Sequence, residues 1–231
     1  TTIKQVNKVF TRLWKTRGYK ILDCIYTQKQ LDNNKTQDRR VAYLPKELAD
    51  QKGLVKFGKL FPLMQSWSLE KDTIIKNDED SYGWFNYESS IDTPYLNTNE
   101  NELKEELGSS IGLTLNQYII AGQDSFYFTG KYLDQESTWS RVACSRYDGR
   151  IVNAHFIQDG RLHVYTNLRS DYHYPHLGGR SSGVFELKSQ ELNSFKSLEL
   201  KTFEISKNDW EYLQTYLSQT KIGKLFLRKI K

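Results

Sequence analysis

Two Asp-Gly pairs, Asp148-Gly149 and Asp159-Gly160, constrain this chain more than any other feature. They lie eleven residues apart, between runs in which apolar and polar residues alternate. Asp-Gly is favoured in two-residue type I′ hairpin turns, where both central residues need positive φ. The spacing predicts an antiparallel meander of strands over 139–147, 150–158 and 161–168.

If both turns hold two residues, the facing side chains can be paired off, because side chains in a strand alternate between faces. One face then carries Val142, Cys144, Ile151, Asn153, His155, Ile157, Leu162, Val164 and Leu168. It is mainly apolar and is expected to lie on the core, with His155 as a hydrogen-bonded core histidine. The other face carries Arg141, Ser145, Val152, Ala154, Phe156, His163, Tyr165 and Asn167, with Arg141 opposite Phe156 and His163. Sheet faces that mix rings and guanidiniums bind single-stranded nucleic acid: rings stack bases and cations hold phosphates.

Composition sharpens that expectation. Between Tyr132 and Leu187 there are six arginines, at 141, 146, 150, 161, 169 and 180, and no lysine. Arginine offers a planar fork for phosphate or carboxylate and stacks on rings, which lysine does less well. Arg141, Phe156, Arg161, His163, Tyr165, Asn167, Arg169 and Arg180 are therefore the candidate nucleic-acid contacts. Buried Arg–Asp pairs are the competing explanation, with Asp148, Asp159 and Asp171 close by in the sequence.

The stretch "DYHYPHLGGRSSGVFELK", Asp171 to Lys188, concentrates chemistry. His173 and His176 beside Asp171 have the makings of a metal ligand set or a general acid/base. The glycines and serines around Arg180 let backbone approach a ligand and can cradle an anion. Their spacing fits neither the Walker loop nor the dinucleotide fingerprint. This short loop is similar to the glycine-rich loops of CRISPR repeat-associated RNA-binding proteins, but it lacks their second glycine pair, and the family is not assigned. Glu186-x-Lys188 resembles the second half of a PD-(D/E)xK nuclease core. That resemblance implies Asp171 and Glu186 as Mg²⁺ ligands, with Lys188 assisting the attacking water. The same tripeptide "ELK" recurs at 102–104 and 199–201.

Elsewhere, Ile3, Val6, Phe10, Leu13 and Trp14 form one stripe of a helix over 3–16, with Lys4, Lys8, Arg12 and Lys15 on the other side. "KILDCIYTQ" predicts a strand and "LDNNKTQDRR" a loop. "LPKELADQKG" predicts a short helix with Gly53 past its end, and "NELKEELGSSIG" a helix ended by Gly108. "DSFYFTGKYL" reads as strand, with 115–121 open between helix and strand. Ser206 with Asp209 opens a C-terminal helix carrying Trp210, Leu213 and Leu217. The class expected is α+β, with an antiparallel meander concentrated in the second half and amphipathic helices at the two ends. It is read as one domain over 1–231, with a weak division near 66–110.

Net charge is +5, distributed unevenly. The first twenty residues carry six Lys/Arg and no acid, whereas Asp78 to Glu106 holds nine acids and one lysine. A positive pole suits nucleic acid, and the acidic stretch 78–106 suits a basic protein partner. No apolar run is long enough to span a bilayer, and two isolated cysteines, Cys24 and Cys144, form no disulfide framework. The expectations are an intracellular, cytoplasmic protein that binds RNA or DNA without a cofactor. The alternatives are a Mg²⁺-dependent nuclease and an assembly subunit that docks through its acidic stretch.

Overall fold

A computed structural model describes residues 2–61, 74–77, 82–108 and 110–182, all within the compact unit Thr1–Val184. It is a mixed helix-and-strand fold with its antiparallel sheet in the second half. Glu186, Lys188 and the helix expected from Ser206 lie outside the described residues.

Helix α1 spans Ile3–Lys15, opened by a Thr2–Gln5 capping box, and it buries Val6, Phe10 and Trp14. The next stretch, read from the sequence as a strand, joins no ladder among the described residues. It is fastened by side chains instead: Cys24 N–H donates to Asn7 Oδ1 at 2.7 Å, and Trp84 Nε1 to the Leu22 carbonyl at 2.9 Å. The expected loop after it contains helix α2, Gln28–Thr36, because Thr27 and Gln30 form a second capping box. Strand β1 (Arg39–Leu44), a short 3₁₀ turn and helix α3 (Gln51–Leu60) follow. Gly53 lies inside α3, not past its end, and a Cβ there would come within 2.3 Å of the Leu48 backbone.

Strand β2 (Lys76–Asn77) and strand β3 (Gly83–Glu88) precede helix α4 (Glu100–Leu107), which Gly108 ends at a φ of 57°. Helix α5 runs from Leu115 to Thr129, with Thr114 and Gln117 as its capping box and left-handed Gly130 closing it. Residues 124–129 therefore continue a helix, correcting the strand expected there. Asp124, Tyr118 and Ile119 are all buried, so α5 meets protein on several sides and shows no simple amphipathic period. Its aromatic end, "FYF", then reads as strand by propensity alone, and tertiary packing overrides that. Tyr118 stacks on Phe156, and a Cβ on Gly122 would lie 2.1 Å from the Phe156 ring, so the helix seats directly on the sheet. From its other side Asp124 reaches Arg40 of β1 and Tyr87 of β3, which pair antiparallel with each other.

The meander forms as strands β4 (Trp139–Tyr147), β5 (Arg150–Phe156) and β6 (Leu162–Tyr165). The first turn follows the sequence: Tyr147 pairs with Arg150, and Asp148 and Gly149 both have positive φ. The second is longer. Phe156 pairs with Leu162, and Ile157 N–H donates to the Arg161 carbonyl at 2.9 Å around Gly160, whose φ is 88°. This is a three-residue loop with glycine in the left-handed position. A one-residue slip carries His163 away from Phe156 and opposite His155.

A second irregularity lies in β4, where Val142 pairs with Val152 but the next pair is Arg146 with Ile151. The chain entering α5 occupies the bulge. A Cβ on Gly112 would stand 2.4 Å from that of Ala143, Cys144 N–H donates to the Leu113 carbonyl, and Leu115 N–H donates to Ser145 Oγ at 2.7 Å. Arg141 therefore faces Asn153 rather than Phe156. The core face is Ser140, Val142, Val152, Ala154, Phe156, Leu162 and Val164, all buried. Burying a ring such as Phe156 contributes ~1.5–3 kcal/mol. Strand β7 (Leu177–Gly179) runs parallel to β4 on the opposite edge from β5, and β2 pairs with the far end of β4.

Candidate functional site

Two of the six arginines in the lysine-free window, Arg141 and Arg180, fold inward, which removes both from the exposed contact face expected from the sequence. Arg141 is buried and donates to the carbonyls of Thr98 and Tyr172, the latter at 2.6 Å. Burial holds its guanidinium below the usual value. Arg180 is fully buried: Nη2 lies 2.7 Å from Asp134, and the other bonds go to Ser140 Oγ and the carbonyls of Glu88, Ser90 and Ile91. Burial opposes its charge, but Asp134 against it raises the guanidinium overall. Asp134 also accepts from Tyr118, Thr138 and Ser140, so the cluster is closed to solvent and its lone pairs are taken. The glycines before Arg180 serve the same packing. A Cβ on Gly178 would meet the Pro94 carbonyl at 2.2 Å, and one on Gly179 would meet Leu103 at 2.6 Å. They admit neighbouring protein, not an anion.

Phe156 lies in the core, away from any contact face. Of the remaining arginines, Arg146 pairs with Glu100, Arg161 with Asp159 and Arg169 with Asp171, while exposed Arg150 donates to the Asn167 carbonyl at 3.3 Å. The outer face of the sheet carries a half-exposed aromatic cluster instead. Trp139 stacks on His155 at 4.1 Å, His163 meets His155 edge-on, and Tyr165 lies 4.4 Å from Trp139. Asn167 is exposed beside it. His155 is a histidine of this outer face rather than of the core, and its Nε2 is buried without a partner.

Of the catalytic candidates, Asp171, His173 and His176 lie among the described residues, and Glu186 and Lys188 lie outside them. Asp171 makes a two-point contact with Arg169, whose hydrogen bonds lower its carboxyl. His173 contacts Glu102 at 2.7 Å, and exposed His176 offers its backbone carbonyl to Trp139. No group of three His, Cys, Asp or Glu side chains suited to a metal occurs among the described residues. Three acids of the stretch 78–106 are engaged: Glu88 holds Arg39 and Ser181, Glu100 holds Lys104 and Arg146, and Glu102 holds His173.

A different region gathers free charge and open rings. Lys4, Lys8, Arg12 and Lys15 of α1 are exposed and form no ion pair with a described residue. Beside them α1 and the last turns of α5 border a groove of about 670 Å³, lined by Lys8, Arg12, Arg17, Phe126, Tyr127 and Phe128 among others. Phe126, Tyr127 and Phe128 are 41%, 69% and 45% exposed. Phe126 is backed by Tyr132, whose ring stacks on it at 4.3 Å, and the Arg40 guanidinium sits 4.0 Å over Phe128. A second hollow of about 470 Å³ shares Val9, Phe10 and Phe128 and adds Asn34, Lys35, Arg39 and Arg40. Among the described residues the one acid in this groove's lining, Asp124, is buried against Arg40 at 2.9 Å and the Tyr87 hydroxyl at 2.5 Å. Burial raises its carboxyl. The sequence offered one signal for this region, the acid-free basic N-terminus; the rings were hidden by their strand-like reading.

Comparison of the chain with protein-family models, curated proteins and solved structures finds no match.

Proposed function

We propose that this protein binds nucleic acid, and that the groove between α1 and the end of α5 holds it. The observation that carries this reading is the meeting of unpaired cations and exposed aromatic rings along one concave surface. Cations neutralise phosphates and release counterions, and rings stack bases at ~1–3 kcal/mol each. The outer sheet face supplies rings as well, but its exposed Arg161 and Arg169 already carry carboxylate partners. A phosphate there would have to displace an ion pair at Arg161 or Arg169, and Arg150, which donates to the Asn167 carbonyl, is the one exposed arginine of the lysine-free window without a carboxylate partner among the described residues. In the groove it displaces water and mobile counterions only.

Fluorescence anisotropy with a labelled oligonucleotide at several salt concentrations tests the proposal. Lys8→Glu combined with Arg12→Glu is expected to weaken binding at least ~tenfold. The salt slope should fall by about one for each phosphate that the variant no longer neutralises. Arg161→Ala with Arg169→Ala is expected to leave affinity unchanged. Full retention of affinity by the α1 variant would reject the groove.

A further inference from the structure

Buried side-chain nitrogens and oxygens in folded proteins nearly always have hydrogen-bond partners, so each unpartnered one asks for an explanation. Six such atoms occur among the described residues, and four are nitrogens around this groove. Trp14 Nε1, Arg17 Nε and Gln123 Nε2 belong to residues lining the larger hollow, and Asn34 Nδ2 to a residue lining the smaller. The polarity is fixed at two of them, because an indole and a guanidinium nitrogen can only donate. The amides of Gln123 and Asn34 can present either a donor or an acceptor by turning over. The groove thus combines unmet hydrogen-bonding capacity, positive charge and open ring faces.

We infer that the groove takes unpaired nucleotides, with bases stacked against the Phe126–Phe128 rings and their polar edges meeting the half-buried side chains of Gln123 and Arg17. This deepens the reading proposed above and rests on it. A duplex satisfies the base edges internally and stacks its bases on one another, so it offers the rings and buried donors nothing. It could use only Lys8, Arg12 and their neighbours. An unpaired strand offers phosphates to those cations, base faces to the rings and carbonyl or ring-nitrogen acceptors to the donors. Tyr127, the most exposed of the three rings, is the residue placed to stack on a base. Gln123 is the one whose amide can favour some bases over others.

The deciding experiment compares three probes of equal length on the full chain: a single strand, its duplex and an abasic strand with the same phosphates. The single strand is expected to bind at least ~tenfold tighter than the other two. Tyr127→Ala should weaken it roughly five- to hundredfold while leaving the weaker duplex binding unchanged. Gln123→Leu, of similar size, should narrow the spread of affinities among homopolymer strands. Equal binding of all three probes, with Tyr127→Ala silent, would overturn this inference and leave a purely electrostatic groove. Absence of binding to every probe at low salt would overturn the proposed function itself.

Discussion

The arginines of residues 132–187 and the cations of α1 occupy opposite physical situations. Arg141 and Arg180 are buried, Arg146, Arg161 and Arg169 each hold a carboxylate, and only Arg150 is exposed without one among the described residues. Lys4, Lys8, Arg12 and Lys15 stand on the solvent side of a helix whose other side is anchored by Val6, Phe10 and Trp14. The guanidinium suits burial because its five N–H donors can satisfy several carbonyls and a carboxylate at once, as Arg180 does. An ammonium is compact and strongly hydrated, and it remains in water, available to an incoming anion. The two buried arginines of this lysine-free run are therefore folding devices here.

The largest expected effect breaks that contrast from the buried side. Arg180→Ala leaves Asp134 charged in a closed site, and loss of one partner of a buried pair costs ~3–5 kcal/mol. Urea denaturation should show the loss, and a shift within ~0.5 kcal/mol would show instead that Tyr118, Thr138 and Ser140 suffice to hold Asp134. Next comes the α1 double variant, which should lose about 1.4 kcal/mol or more of binding free energy with its urea midpoint nearly unchanged. A comparable fall in stability would mean that Lys8 and Arg12 also support the fold.

A smaller effect probes the outer face of the sheet. Burial, and then His163 beside it, depresses His155 to about 4, against ~6.5 in an unfolded chain. As pH falls, the unfolded chain takes up this proton first. The associated stability is complete above about pH 6.5 and is lost as pH falls from there through about 4. Urea unfolding at about pH 7.5 and about pH 5 should differ by roughly 1–2 kcal/mol, and His155→Phe should flatten that dependence. An unchanged slope in the variant would assign it to other groups. Smallest of all, Arg169→Ala should leave the urea midpoint where it is, because its pairing with Asp171 is solvent-exposed.

Local chemistry was legible without coordinates. The Asp148-Gly149 hairpin, helix α1 and the Gly108 stop of α4 each depend on a few adjacent residues with a strong conformational preference, and each forms as read. So does the α+β class with its meander in the second half. Register was not legible. Asp159-Gly160 fits a two-residue or a three-residue loop equally well, and only the packed sheet selects the longer one. The β4 bulge depends on Gly112 and Leu115 reaching Ala143 and Ser145 from elsewhere in the chain. Each departure reverses which face a side chain occupies, which is how Phe156 enters the core and Arg141 leaves its company.

The candidate site divides in the same way. Its charge was written in the sequence, as an N-terminal helix with cations along one side and no acid. Its rings were not, because "FYF" has the propensity of a strand and becomes the end of a helix only where Gly122 and Tyr118 seat α5 on Phe156. Near-neighbour preferences fix turns, caps and single helices. Which cation stays free and which ring stays exposed depends on contacts between residues far apart in sequence, and those exist only once the chain has packed.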